Sequence, residues 1–270
     1  VVAGRVDAGA SFLPGLALRV EANLQKSAAA STPDYVLGNT SSAVENVGAT
    51  VGYQGDVFGH DVDVSLSLRR YHANLGVCFC QLAATPDVLA GLLRTRTAPP
   101  QSDLWLTTYD VERPRQDVTH DLLLARMASD VADAGRLTIS YGLQRDLRLE
   151  FDQVRQATTG AQYSFDLLTH GVDVLFAHRA LPLTADVRLI GEAGLHADVQ
   201  RHQFTGLLLV PGYARVSGGL FAMERLTIDD VILGDLDIEA GARVDGLAQT
   251  AVLGPQAHAS LLRRGQLDGD

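Results

Sequence analysis

The sequence predicts an all-β fold: an antiparallel, up-and-down transmembrane β-barrel segment of about ten long strands. Three observations carry that expectation. Apolar residues recur at every second position through much of the chain, which is a strand period. The alternating runs are far longer than the five or six residues usual in soluble sheets. The connections between them alternate between short turns and long polar loops, as in barrels whose two rims differ in loop length.

The clearest run is Leu137 to Phe151. Leu137, Ile139, Tyr141, Leu143, Leu147, Leu149 and Phe151 form one row, broken only by Arg145, and Thr138, Ser140, Gly142, Gln144, Asp146, Arg148 and Glu150 form the other. Nine to eleven residues already cross a bilayer when tilted, so a longer strand with one apolar and one polar face suits a barrel with a wet interior.

The other elements follow in chain order. Val1 to Phe12 alternates weakly, Leu13-Pro14-Gly15 makes a tight turn, and Leu16, Leu18, Val20, Ala22 and Leu24 form the next apolar row. Lys26 to about Ala43, rich in small polar residues, reads as a long loop. Val47, Ala49, Val51 and Tyr53 then turn through Gly55 to Gly59 into Val62, Val64, Leu66 and Leu68. Tyr71 to Leu106 is a longer connection with a short helix, PDVLAGLL, N-capped by Thr85 with Pro86 at its first position.

Thr107 to Ser129 is a strand interrupted by Pro114, and Asp130 to Gly135 turns into the run at Leu137. Asp152 to Gln162 is a polar loop. Tyr163 to His178 and Leu183 to Leu195 make a hairpin around Arg179 to Pro182, followed by a long loop from His196 to Gly212. A last hairpin runs from Tyr213 through a turn near Ile228 to Gly234 and on to Gly246, its second arm alternating Leu236, Ile238, Ala240, Ala242 and Val244 with acidic and arginine residues. Leu247 to Asp270 carries no strand signal.

Composition narrows the functional classes. The chain of 270 residues has a formal net charge of −10 and a pI near 5.2, and Lys26 is its only lysine, so no nucleic-acid partner is expected. No stretch of about eighteen apolar residues is present, and Val1 does not open a signal peptide; barrel strands never produce such a stretch. Aromatics make up only 6% of the chain, with Trp105 alone of its kind. Tyr53, Tyr71, Tyr109, Tyr141, Tyr163 and Tyr213 still fall within or near strand ends, a thin version of the aromatic girdle.

Several segments in order resemble the β-barrel domain of TonB-dependent receptors. They are TPDYVLGNT in the first long loop, ERPRQDVTHDLLLAR, RLTISYGLQRDLRLEFD, FDLLTHGVDVLFAH, LLLVPGY, GGLFAMERLT and LDIEAGARVDG. The resemblance implies an outer-membrane transporter taking up a scarce nutrient, such as a ferric siderophore or other metal chelate. It further implies a 22-stranded barrel, a plug domain and the TonB complex as partners, and outer-membrane lipid around the wall. Plug, TonB box, signal peptide and terminal aromatic strand are not found here, so the chain reads as a central part of the barrel. A passive pore or adhesin-like barrel, and a soluble β-sheet binding protein, are the alternatives.

The lumen-facing candidates, from alternation, are Arg19, Glu21, Asp63, Arg69, Gln144, Asp146, Arg148, Glu150, Asp237, Glu239 and Arg243. Most are expected to form cross-strand ion pairs. Arg113 and Arg115, flanking Pro114, are candidates for an anion at the outer rim. His72, Cys78 and Cys80 are the metal candidates, but their spacing matches no tetrahedral zinc pattern, so neither metal nor cofactor is expected. Cys78 and Cys80 point to one side of an extended chain, yet the ring a disulfide would close is small and strained, so no disulfide is expected.

No catalytic site is expected. His120 and Asp121, and likewise His170 and Asp173, fall on opposite faces of a strand, no G-x-S-x-G elbow is present, and Gly218-Gly219 lies inside a strand.

Overall fold

The computed structural model describes residues 1–31, 33, 36–78, 87, 90–91, 94, 108–152, 160–206, 210–231, 234–254, 258–259, 262–263 and 265. Among these, one antiparallel sheet of eleven strands dominates. Its strands are β1 Val2–Gly9, β2 Leu16–Ser27, β3 Ser42–Val57, β4 His60–Gly76, β5 Arg115–Val131 and β6 Gly135–Phe151. They continue with β7 Tyr163–His178, β8 Leu181–Pro182, β9 Val187–Gly206, β10 Gly212–Val231 and β11 Gly234–Val252. Each long strand pairs with the next in sequence, and two-residue β8 folds back on β9. β1 and β11 do not pair with each other, so the sheet is open and both edge strands are exposed throughout.

The connections 10–15, 58–59, 132–134, 179–186 and 232–233 gather at one end of the strands; at the other, 28–41, 77–114 and 152–162 are long, whereas 207–211 between β9 and β10 is short. Phe58 and Gly59, with φ of 55° and 82°, close β3 to β4 in two residues, the left-handed pair that matches the twist of a tight hairpin. Asp56 Oδ1 accepts the Gly59 N–H at 2.9 Å.

At the long-loop edge, two of the segments singled out in the sequence meet. Asn39, 1% exposed, donates its side-chain amide to the carbonyls of Val77 (3.1 Å), Glu112 (3.0 Å) and Pro114 (2.7 Å). Its Oδ1 accepts the Glu112 N–H at 2.8 Å, and Ser41 Oγ bonds the Asp110 carbonyl. The loop before β3 is thereby tied to the approach to β5.

Five details differ from expectation. β4 runs on to Gly76, through the start of the connection expected from Tyr71. β9 runs to Gly206 and β10 starts at Gly212, so most of the stretch expected as a loop from His196 is strand. β11 continues to Val252, past the expected end of strand signal. β5 begins after Pro114, which has no N–H to give a ladder. Cys78 is disulfide-bonded, which the ring strain weighed from the spacing did not anticipate. Cys80, the only other cysteine, lies outside the described residues. Asp87, Ala90, Gly91 and Arg94 are helical; Thr85 and Pro86 of that predicted helix also fall outside them.

The sheet covers no hydrophobic core among the described residues. Among the described residues the only buried apolar side chains are Ala29, Ala73 and Ala128, and the largest fully buried ones are the polar Asn39 and Ser41. The accessible surface is 18030 Å², against roughly 11,300 Å² for a compact monomer of this mass. The excess includes Val20, Leu18, Val47, Leu68, Leu195, Val216, Leu220, Ile238 and Val244, all exposed and all on one face by the strand register.

Candidate functional site: the polar face and its aromatic platform

Strand register places all eleven candidates, Arg19 through Arg243, on the face opposite the apolar one. Ion pairs connect most of them. Arg19 holds Asp7 at 2.6 Å, Arg69 reaches Glu21 at 3.4 Å across Gly48, and Arg148 holds Glu150 at 2.6 Å. Arg225 holds Glu239 at 3.1 Å, Arg243 holds Asp245 at 2.7 Å, and Asp237 accepts from Thr227 Oγ1 at 2.6 Å. Asp63 stands between Gln54 and Ala128, Gln144 between Leu122 and Thr169, and Asp146 between His120 and Leu167.

The same register separates the pairs considered for catalysis. His120 faces Asp146 on the polar side while Asp121 faces Arg70 and Arg145 on the apolar side, and His170 and Asp173 are split in the same way. His72 is on the apolar side beside Thr119, 3.1 Å from its Oγ1, and the described residues hold no group of metal-ligating side chains.

A node that the sequence did not disclose lies at mid-strand on the polar face. His196 hydrogen-bonds Asp173 through Nδ1 at 2.7 Å, and its Nε2 lies 3.4 Å from Asp198. Asp198, 8% exposed, also accepts from Arg215 at 3.1 Å and from Ser217. A carboxylate this buried is retained because several donors surround it. The group closes on itself and leaves a small cavity of about 250 Å³ beside Arg243 and Asp245.

Nearer the long loops, the polar face carries aromatic rings. Phe165 and Phe204, direct partners on β7 and β9, have centroids 5.0 Å apart; Tyr163 lies 6.4 Å from Phe204. His202 stacks on Phe165 at 6.3 Å and meets Tyr213 at 5.1 Å. The Arg148 guanidinium stands over the Phe165 ring at 5.9 Å. Tyr213 donates its hydroxyl to Gln200 Oε1 at 2.9 Å, and Gln200 Nε2 donates to Thr169 at 3.0 Å. Four half-buried aromatic rings and the buried His202 imidazole thus lie together on the polar face, a candidate recognition surface.

His202 and Phe204 were missed because they fell in the predicted loop. The signal that could have found them is the polar alternation His196, Asp198, Gln200, His202 itself, continuing the parity of β9.

Arg113 and Arg115 are at the long-loop edge, as expected, and both pack on the Phe151 ring, at 5.1 and 4.3 Å. Arg113 Nη2 also donates to the Gly160 carbonyl at 2.9 Å. They brace the rim from the side away from the platform, since Arg115 and Phe151 pair on the apolar face.

On the apolar face a belt of charge runs across β4 to β7, and its last member, Asp166, is the neighbour of Phe165 on β7. Arg70 grips Asp121 in a two-pronged contact at 2.7 and 2.9 Å, and Arg145 grips Asp166 at 3.0 and 2.8 Å. Below it lies a broad apolar trough of about 760 Å³ lined by Val20, Val47, Leu68, Leu123, Leu143 and Leu168.

None of the known family models matches this chain, and no curated protein matches it.

Proposed function

We propose that the chain is part of the wall of an outer-membrane β-barrel of the receptor type, serving uptake of a scarce nutrient. The observation that carries the reading is the extended apolar face over a sheet with no core beneath it. A soluble sheet would have to cover that face; hydrocarbon covers it without further protein.

The dimensions support this. A strand tilted by about 40° rises roughly 2.5 Å per residue along the barrel axis, so an apolar band of about 25 Å takes about ten residues. Arg70 and Arg145 stand about ten residues from His60 and Gly135, the short-turn ends of their strands. The charged belt therefore marks the upper limit of the lipid band, and the strand beyond it projects into water. The long loops then face outward, the polar face lines the passage, and the platform sits at its outer mouth. Energised transport would further need the plug and TonB partners that the sequence resemblance implies.

The test is insertion. The chain should require detergent or lipid to stay in solution, and should migrate differently on a gel before and after boiling. A monodisperse, detergent-free chain whose mobility ignores boiling would exclude a membrane wall.

A further inference from the structure

We infer that the ring platform on β7, β9 and β10 is a saccharide-binding site that takes a neutral oligosaccharide. The inference rests on the reading of the polar face as the lining of an aqueous passage.

The chain is poor in aromatics, yet two of its seven tyrosines and two of its eight phenylalanines collect here. With His202 they make a run of five rings, each 5.0 to 6.4 Å from the next. A run of rings with amphipathic partners suits a ligand that offers apolar C–H faces in series and hydroxyls at its edges. Such a ligand is a short saccharide chain.

Electrostatics select against an anionic chelate. Arg148 is held by Glu150 at 2.6 Å and Arg215 by Asp198 at 3.1 Å, so each guanidinium near the rings already carries its counter-charge. Asp146, one row below Arg148, adds a further negative charge. An incoming anion would have to displace a carboxylate, whereas a neutral polyhydroxyl ligand would not.

Hydrogen-bonding capacity points the same way. Gln200 uses one amide hydrogen toward Thr169 and one carbonyl lone pair toward Tyr213, and an amide has two of each. Tyr163 and Tyr213 close the run at its two ends; the Tyr163 hydroxyl can donate or accept, and the Tyr213 hydroxyl, whose hydrogen goes to Gln200, can still accept. Asp166, gripped by Arg145 and next to Phe165 on β7, sets the platform level with the end of the charged belt, at the upper limit of the proposed lipid band, where a water-borne saccharide arrives first.

The experiment uses the whole 270-residue chain folded into a sugar-free detergent, lauryldimethylamine oxide, with cellotetraose and maltotetraose as neutral probes and ferric citrate as the anionic rival. Titration calorimetry should show saturable binding of at least one tetrasaccharide. Phe165→Ala and Phe204→Ala should each weaken it about tenfold, Phe204→Tyr should restore it, and Arg148→Gln should leave it within about twofold. The inference is overturned if neither tetrasaccharide binds, if the phenylalanine variants bind as the parent does, or if ferric citrate binds through Arg148 with no dependence on Phe165. The gel assay on the same preparation separates the two levels. A chain that inserts into lipid but ignores both tetrasaccharides sinks the saccharide site and leaves the membrane wall standing, while one that needs no detergent removes both.

Discussion

Placing an arginine at Ile139 should break membrane assembly, and the structure says by how much. Ile139 is on the apolar face between Met127 and Val174, four positions above Gly135. At roughly 2.5 Å per residue that is about 10 Å up a band of about 25 Å, close to the midplane, where an arginine on the lipid side costs about 2–4 kcal/mol. Ser140, the next residue, points to the polar face between Arg126 and Asp173, so Ser140→Arg should cost nearly nothing. Alternation alone puts Leu143 on the lipid side and assigns it no depth. The belt supplies one: Leu143 is two residues below Arg145, near the upper boundary, so Leu143→Arg should cost only about 0–1 kcal/mol, and Gln144→Arg on the polar face should be tolerated. The assay is a urea titration of the chain folded into phosphatidylcholine vesicles, with the folded fraction read from the unboiled gel band. A cost of 2 kcal/mol shifts the folding constant about 30-fold. Equal costs for Ile139→Arg and Ser140→Arg would refute the two-faced wall, and a greater cost at Leu143 than at Ile139 would refute the depth assignment.

Other expectations follow from single contacts. Asn39→Ala removes one side chain that satisfies four backbone groups at the rim, which should destabilise the loop before β3 by about 1–3 kcal/mol; limited proteolysis should then cut within residues 28–41 while the urea midpoint of the sheet stays put. Gly191 is a gap in β9 through which His178 reaches Glu224 at 3.0 Å, and a methyl group there would overlap Glu224 and the Met223 carbonyl. Gly191→Ala should therefore cost about 1–3 kcal/mol in the same titration, and Gly142→Ala, which meets nothing within 4 Å, should be near neutral. Cys78 should resist a thiol-alkylating reagent until the chain is reduced, as mass spectrometry of the labelled peptide would report; labelling of the unreduced chain would contradict the disulfide.

The parts legible in the sequence are those governed by the period of two. Below the belt one row of each strand is apolar and the other polar, so hydrophobicity alternates and β6 and β7 can be read from their residues almost end to end. Beyond the level of the belt both rows of β9 are largely polar. Arg201, Gln203 and Thr205 on one side of β9 are then as polar as Gln200 and His202 on the other, and the alternation that identifies a strand disappears although the ladder continues. That is why His196 to Gly206 reads as a loop, and why the platform residues it contains went unrecognised. The Cys78 disulfide is not legible for a different reason: a pair spaced two apart closes a small ring, and spacing alone argues against it.

The sequence by itself determined most of the strands and, within them, the side of the sheet each residue faces, because parity along a β-strand is strict and a one-residue slip would exchange every residue of the apolar row for a polar one. Only the tertiary structure decided which residues meet across strands. Phe165 and Phe204 are direct partners on β7 and β9, two strands joined by a connection that folds β8 back on β9, and no local pattern encodes that register. It also set the height of the charged belt. Arg70, Asp121, Arg145 and Asp166 come from four different strands, and they form a level only once the sheet has aligned them.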